Sequence, residues 1–516
     1  LGAESLLQQE ICNKIKTVKN KNNINTKKMK KIAIYLIFSF AISSISFANN
    51  LVIGTPTVSG STVTFTIKWD NSWNVANGPA NWDAVWIFVK RQTCASNTLN
   101  PWLHADLNAT GHTVGGTQLQ IDTVSDNKGV FIRRSAVGMG NINQVTVELT
   151  LANAIGSDNI GVYGTEMVNV PQGEFYVGDG SSPDNQNGFT DGNTFNPLLI
   201  TQAMQTAGIG QHSLYQRQSL GSSGDLPGTF PLGYNRFYCM KYEVTTGQFV
   251  SFLNSLTYNQ QLNLHQDPNN ISPSSPIGSV FQERFQYRIE IAIPGQSLTA
   301  LTPAVYGCDS NNNDVFDEND DSTGVGYSMQ WEHWLAYLDW AALRPMTEFE
   351  FEKACRGTIL PVVGEHAWGS TWFNNVGSGS RVNPRTPQEV MNIAPLGAAN
   401  LGNQVSYRAG IFATSVSDRD HSGATYYGIL DMTGGMYERA IGGWHHDYSA
   451  FTTANGDGNI SNIARHNQAG WSYSQYSVRG GSTVLYEGRL LSSRVWGANG
   501  TQDPGYAMGG RGVRSY

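Results

Sequence analysis

Between Leu335 and Gly357 the chain reads LAYLDWAALRPMTEFEFEKACRG, and several independent local rules agree within that stretch. Thr347 and Glu350 have the spacing of a capping box, with Met346 and Phe351 placed as a hydrophobic staple across the helix entry. The pattern predicts a helix that begins just after Thr347. Glu348, Glu350 and Glu352 bring negative charge to its first turns, and Lys353 and Arg356 bring positive charge to its last. Gly357 stands where a left-handed C-cap would end it. Upstream, Leu335, Leu338 and Ala342 recur at helical spacing, so the segment is expected to be a helix, an Arg-Pro break and a second short helix.

The rest of the chain must fold around that pair. At 516 residues it is longer than one ordinary domain, and two folded units are the simplest count. Only 14% of residues are charged, while there are 56 Gly, 13 Trp and 22 Tyr, a balance typical of loop-rich extracellular proteins. The net charge of -7 argues against a nucleic-acid groove, so no nucleic-acid partner is expected.

Met29 is followed by Lys30-Lys31, the apolar run Ile32–Ile45 and the small-x-small sequence Ser46-Phe47-Ala48. Residues 29–48 therefore read as a secretory signal peptide, with 1–28 an over-extended start and not structure. The competing reading is an N-terminal membrane anchor, but the run is short of a full span. The expected address is secreted or periplasmic, with no membrane span after cleavage. Cys94, Cys239, Cys308 and Cys355 remain, and their spacing fixes no pairing.

Residues 49–166 show a period of two. Val63, Phe65, Ile67 and Trp69 alternate with Thr and Lys, as Val145, Val147, Leu149 and Leu151 do with Thr and Glu, and Ala84–Val89 is a continuous apolar run. An antiparallel β-sandwich is expected here. Trp69, Trp73, Trp82 and Trp86 could form a sugar platform, but core packing is the favoured reading because Trp69 and Trp86 fall inside apolar strands. Residues 167–516 form the second unit. Its Gly/Asn/Ser/Pro-rich stretches near 179–235 and 258–328 are expected to be surface excursions. Within the second, Asp309, Asn311, Asn313, Asp317 and Asp320 occupy positions one, three, five, nine and twelve of an EF-type calcium loop. Asp314 sits where such a loop wants Gly, and a solvated acidic turn is the alternative.

The segment around Thr347 also resembles the formylglycine-generating enzyme family, the sulfatase-modifying factors. Further motifs of that family occur in its order: VPQGEFYVG (Val170–Gly178), FYCMKYEVTTGQFVSFLN (Phe237–Asn254), HAWGS (His366–Ser370), YGILDMTGGMYE (Tyr427–Glu438), RGGS (Arg479–Ser482) and RGVR (Arg511–Arg514). The resemblance implies an α+β fold related to C-type lectins, with little regular secondary structure. In active members two cysteines hold copper, three and eight residues after the Ser of G-G-S. Here those positions are Leu485 and Leu490, so no copper is expected. Related sulfoxide synthases use a histidine-bound iron, but His445-His446 is an isolated pair with no helical domain ahead of it. The family's structural calcium loop maps onto Asp431, Gly434, Met436 and Glu438, all offering hard oxygen donors. An alternative makes Glu438 the partner of an arginine in a buried polar network. A second family calcium loop matches only at Asn400 and Leu401.

By resemblance the surface around G-G-S is a substrate cleft. Its interior supplies Tyr486, Arg489 and Tyr506, expected to line a site for a peptide, protein or glycan ligand. The favoured function is thus a non-catalytic binding or structural protein on a degenerate sulfatase-modifying-factor domain. The alternative is a formylglycine-generating-type oxidoreductase, or another protein-modifying enzyme, with a rearranged site.

Overall fold

A computed structural model describes residues 50–516 except 94–99, 182–187, 193, 202–205, 208–213, 216–223, 226–228, 266–270, 283–286, 299–300, 318–319, 326–328, 394, 415–416, 443–450, 453–454, 469–470, 472–475, 485, 487 and 494–506. The signal peptide expected at 29–48, Cys94, His445-His446, Leu485 and Tyr506 lie outside the described residues. What is described is mostly strand, with few and short helices. None of these helices is long and apolar enough to cross a membrane.

The elements that frame the molecule are β1 (Thr62–Asn74), β2 (Asp83–Gln92), β3 (Val130–Arg134), β4 (Gly138–Thr150), β5 (Asn159–Val170), β6 (Phe237–Met240), α1 (Thr246–Leu253), β7 (Arg288–Ile293), β8 (Val305–Asp309), α2 (Trp331–Trp340), α3 (Glu348–Arg356), β9 (Tyr437–Ala440), β10 (Ser477–Arg479) and β11 (Gly512–Ser515). In β1 the period of two does what it predicts: Val63, Phe65, Ile67 and Trp69 are buried. They meet a matching face on β4, with Val63 opposite Leu149 and Phe65 opposite Val147. Register is set by that coincidence, because a slip of one residue would turn both apolar faces to water.

The unbroken apolar run of β2 has a different cause. Its strand lies inside an eight-stranded sheet, between β5 and β3, and is covered on both sides. Val85, Ile87 and Val89 join the apolar cluster shared with β1 and β4, while Ala84, Trp86 and Phe88 point the other way, into the main core. There Trp86 donates its indole N–H to the carbonyl of Ala341 at 2.9 Å, and Phe88 meets the edge of Trp340 in α2 at 5.2 Å. Trp69 and Trp86 are fully buried. A strand buried on both faces needs apolar residues at every position, not at alternate ones.

The strand β5 crosses the boundary expected at 166/167. It pairs antiparallel with β2 from Asn159 to Val168 and with β6 from Met167 to Val170. The sheet continues through β11, paired with β6, and ends on Arg344–Pro345, the break between the two central helices. One sheet thus carries strands from the first 170 residues and from the closing RGVR motif.

The stretch expected as a surface excursion at 258–328 is more deeply engaged than its composition suggests. Within it β7 and β8 pair in a three-stranded sheet and bury Ile289, Ile291 and Tyr306 in the main core with Phe249 and Phe252 of α1. The alternation in RIEIAI carries that signal, and the surrounding Gly, Asn and Ser obscure it.

Candidate functional site

The helix α3 forms as its sequence predicts. The Thr347 hydroxyl accepts from the Glu350 N–H at 3.2 Å, and the Glu350 carboxylate accepts from the Thr347 N–H at 2.9 Å. Gly357 follows with φ 65 and ψ -138, a positive φ outside the left-handed helical region, and a Cβ there would lie 2.0 Å from the ring of Tyr426. Its acidic residues do more than complement the helix dipole, because all are buried. Arg479 of the RGGS motif donates to Glu348 at 2.8 Å and to Glu352 at 3.1 Å. The other oxygen of Glu352 accepts from the Gly178 N–H at 2.7 Å. Arg356 spans Glu365 at 2.6 Å and the Ser492 hydroxyl at 2.8 Å. Three family motifs are thereby tied through one buried polar net.

That net holds the G-G-S turn. Gly480 and Gly481 have φ of 87 and 73, and a Cβ on Gly481 would come within 2.8 Å of Leu401 and 3.1 Å of Arg489. Past the turn, Tyr486 is 43% exposed, which makes it available to a ligand. Its hydroxyl accepts from the Asn375 side-chain amide at 2.7 Å, and its ring meets the edge of Phe373 at 6.3 Å. Arg489 lies over both rings, 5.7 Å from Phe373 and 6.0 Å from Tyr486, and its buried Nε has no hydrogen-bond partner. His366 stacks between Trp368 at 4.9 Å and Phe373 at 5.3 Å. Burial pushes His366 down to about 4, so its ring is neutral at ordinary pH.

Tyr486 and Arg489 lie together, with Phe373 and Asn375 beside them and His366 and Trp368 packed close by. Phe373 and Asn375 were missed, though the aromatic-rich TWFNN after HAWGS could have pointed to them. His366 and Trp368 are buried behind this surface, which leaves the exposed ring of Tyr486, the half-buried Phe373 and one guanidinium as the chemistry that could stack against a flat or ring-shaped group.

Copper does not fit this surface. Leu490 offers no donor atom, and a thiolate is what the ion requires. Cys239 and Cys355 are buried in the apolar cluster around Val168 and Met346, and Cys308 is half-buried. Burial pushes Cys239 and Cys308 up to about 12 and Cys355 well above the ordinary thiol range, so all three are protonated.

The loop from Asp431 to Glu438 does fit a hard cation. Asp431 sits at φ 61, accepts from the Gly410 N–H at 2.6 Å, and lines a cavity of ≈ 20 Å³ with Asn400, Gly435 and Met436. One oxygen of Glu438 is held by Arg511 at 2.5 and 2.6 Å, which realises the arginine-partner alternative in Arg511. The other oxygen of Glu438 is buried without a hydrogen-bond donor, as is one oxygen of Glu243, whose other oxygen accepts from the Met436 N–H at 2.9 Å. Burial, then the charge of Glu438, pushes the Glu243 carboxyl well above its ordinary range. Orphaned carboxylate oxygens of this kind are what a calcium ion would satisfy, with Asp431, Glu438 and the carbonyls of Gly434 and Met436 to hold it.

In the EF-type pattern, Asp320 lies within electrostatic reach of Asp309 and Asp317. Asp320 turns both oxygens onto backbone N–H groups, of Ser310 at 3.0 Å and Asp317 at 3.1 Å. Asn311 is half-buried, Asn313 and Asp317 are exposed, and Asp309 is fully buried. Asp309 also converges with Glu290 and Asp314.

The family model described as the sulfatase-modifying factor enzyme 1-like domain matches residues 157–515. No curated protein matches the chain.

Proposed function

The chain belongs to the sulfatase-modifying factor enzyme 1-like family, and from that premise we propose that it is a non-catalytic binding protein that recognises a peptide or glycan. The observation that carries the reading is a substitution of chemistry at one place. Where the resembled enzymes put copper thiolates, this chain has Leu485 and Leu490, while the same turn presents Tyr486 and Arg489 beside Phe373. The β-sandwich of segment 49–166 is continuous with this domain through β5, which pairs with β2 and with β6. Residues 29–48 direct the chain to the periplasm or the exterior, and Asp431, Gly434, Met436 and Glu438 hold a structural calcium.

The test is direct. The chain is reconstituted with copper and incubated with a C-x-P-x-R peptide under oxygen, and mass spectrometry follows the conversion of its cysteine to formylglycine. No conversion and no stoichiometric copper are expected. Turnover would overturn the reading in favour of a rearranged oxidoreductase site.

A further inference from the structure

Glu290 lies in the middle of β7, opposite Gly307 of β8, and Asp309 closes β8 opposite Arg288. Successive side chains of a strand point to opposite faces, so Arg288 and Glu290 share the face that Ile289 and Ile291 do not. Those isoleucines are in the main core. On the other face the loop after β8 folds back. Asp309 accepts from the Asn313 N–H at 3.1 Å and from the Asp314 N–H at 3.0 Å, and Asp314 takes a φ of 56. Its carboxylate is laid over Gly278, where a Cβ would stand 2.8 Å from Asp314 Oδ1. A strand centre, a strand end and a loop residue therefore deliver three carboxylates to one point, with an oxygen from each within 4.8 Å of the others.

We propose that Glu290, Asp309 and Asp314 form a binding site for one divalent cation of the calcium class. The independent observation is Glu290 itself: its side chain is 0% exposed, yet no donor reaches its Oε2, and the group it faces is another carboxyl, that of Asp309. The Oε1 of Glu290 takes Arg288 at 3.2 Å, and one guanidinium does not balance three carboxylates. A buried carboxylate oxygen with no donor is costly unless a proton or a cation meets it. Span and donor type favour the cation. Two ligands of one calcium ion, each at about 2.3–2.6 Å, stand no more than about 5 Å apart. All donors are hard oxygens, with no sulfur or nitrogen to favour zinc. Asp314 is exposed, so water can complete the shell on its side, and three protein carboxylates in a loosely fixed arrangement suit calcium's flexible shell better than magnesium's strict octahedron. Of the EF-type pattern, only Asp309 belongs to this group of three carboxylates. It depends on neither the Tyr486 surface nor the Asp431–Glu438 loop.

Calorimetric titration of the chelator-treated full chain with calcium chloride tests it, alongside Glu290→Gln, Asp314→Asn, Asp317→Asn and Glu438→Gln. Glu290→Gln and Asp314→Asn should each lose one equivalent or bind it about tenfold or more weakly. Asp317→Asn should match the parent, and Glu438→Gln should retain this equivalent. Asp314 is exposed, so its variant decides the matter if Glu290→Gln fails to fold. Unchanged binding in Asp314→Asn, or an equal loss in Asp317→Asn, would overturn the proposal.

Discussion

Lys241 Nζ lies 2.9 Å from Glu166 Oε2, across the junction between β5 and the residue that follows β6. Asp83, which opens β2, stands 3.6 Å from the same ammonium and also accepts from the Ser72 hydroxyl at 2.8 Å. Burial alone would lower the lysine, but Glu166, Tyr242 and Asp83 outweigh it and hold the group above its ordinary range. Lys241→Met leaves two buried carboxylates without their cation and should lower the unfolding free energy by about 3–5 kcal/mol. Urea denaturation followed by tryptophan fluorescence measures it. A change within 0.5 kcal/mol of zero, the ordinary range for surface substitutions, would show that the cluster is not a structural clasp.

Acid should weaken the fold through buried histidines. Burial lowers His333 to about 3 and His366 and His466 to about 4. Such a ring stays neutral in the folded chain while the unfolded chain takes up a proton near 6.5, so stability present above that pH is lost as the pH falls toward the folded value. Asp339, raised by burial to about 7, acts in the opposite direction over part of this range. The comparison of parent with His333→Phe isolates the histidine. Between pH 6 and pH 4 the parent should lose up to about 1.4 kcal/mol per unit more than the variant. Parallel pH profiles would refute the assignment.

At the aromatic surface, replacing Tyr486 and Arg489 together with Ala should abolish ligand capture on a glycan or peptide array while moving stability by less than about 1 kcal/mol. Tyr506 belongs in the same series as a third position. Gly402→Ala is a second probe, since a Cβ there would lie 2.5 Å from the Tyr486 ring at a φ of 65. It should weaken binding by displacing the ring. Full binding by the double variant would move the site elsewhere.

Calcium removal gives the fourth outcome. Chelator should lower the melting temperature of the parent, and Glu438→Gln should lose most of that sensitivity while Arg511 keeps a hydrogen-bond partner. Sensitivity that persists in Glu438→Gln and vanishes in Asp314→Asn would assign the stabilising ion to the Glu290 site instead.

What could be read in the sequence was local. The capping box of Thr347 and Glu350 is complete within four consecutive residues, and it formed as written. The partners of Glu348 and Glu352 were not legible, because Arg479 lies 131 and 127 residues away along the chain. The Ala84–Val89 run was visible as apolar, but only the sheet shows that its two faces serve different cores. Motif position singles out Tyr486 and Arg489 as candidates, whereas Phe373 and Asn375 reach them from a segment more than 100 residues upstream. Glu290 lies in a strand flanked by Gly-, Asn- and Ser-rich sequence, so its nearness to Asp309 and Asp314 is visible only in the structure.

The pairing of β6 with β11 has a kinetic side. Arg511, beside that pairing, donates to the carbonyl of Met240 across 271 residues of chain. Loop closure over so long a span is entropically unfavourable, and topologies dominated by distant contacts fold slowly. Until Gly512–Ser515 arrives, β6 offers an open edge, and edges of that kind invite foreign strands. The interval before this last strand docks is therefore the period in which refolding competes most directly with aggregation.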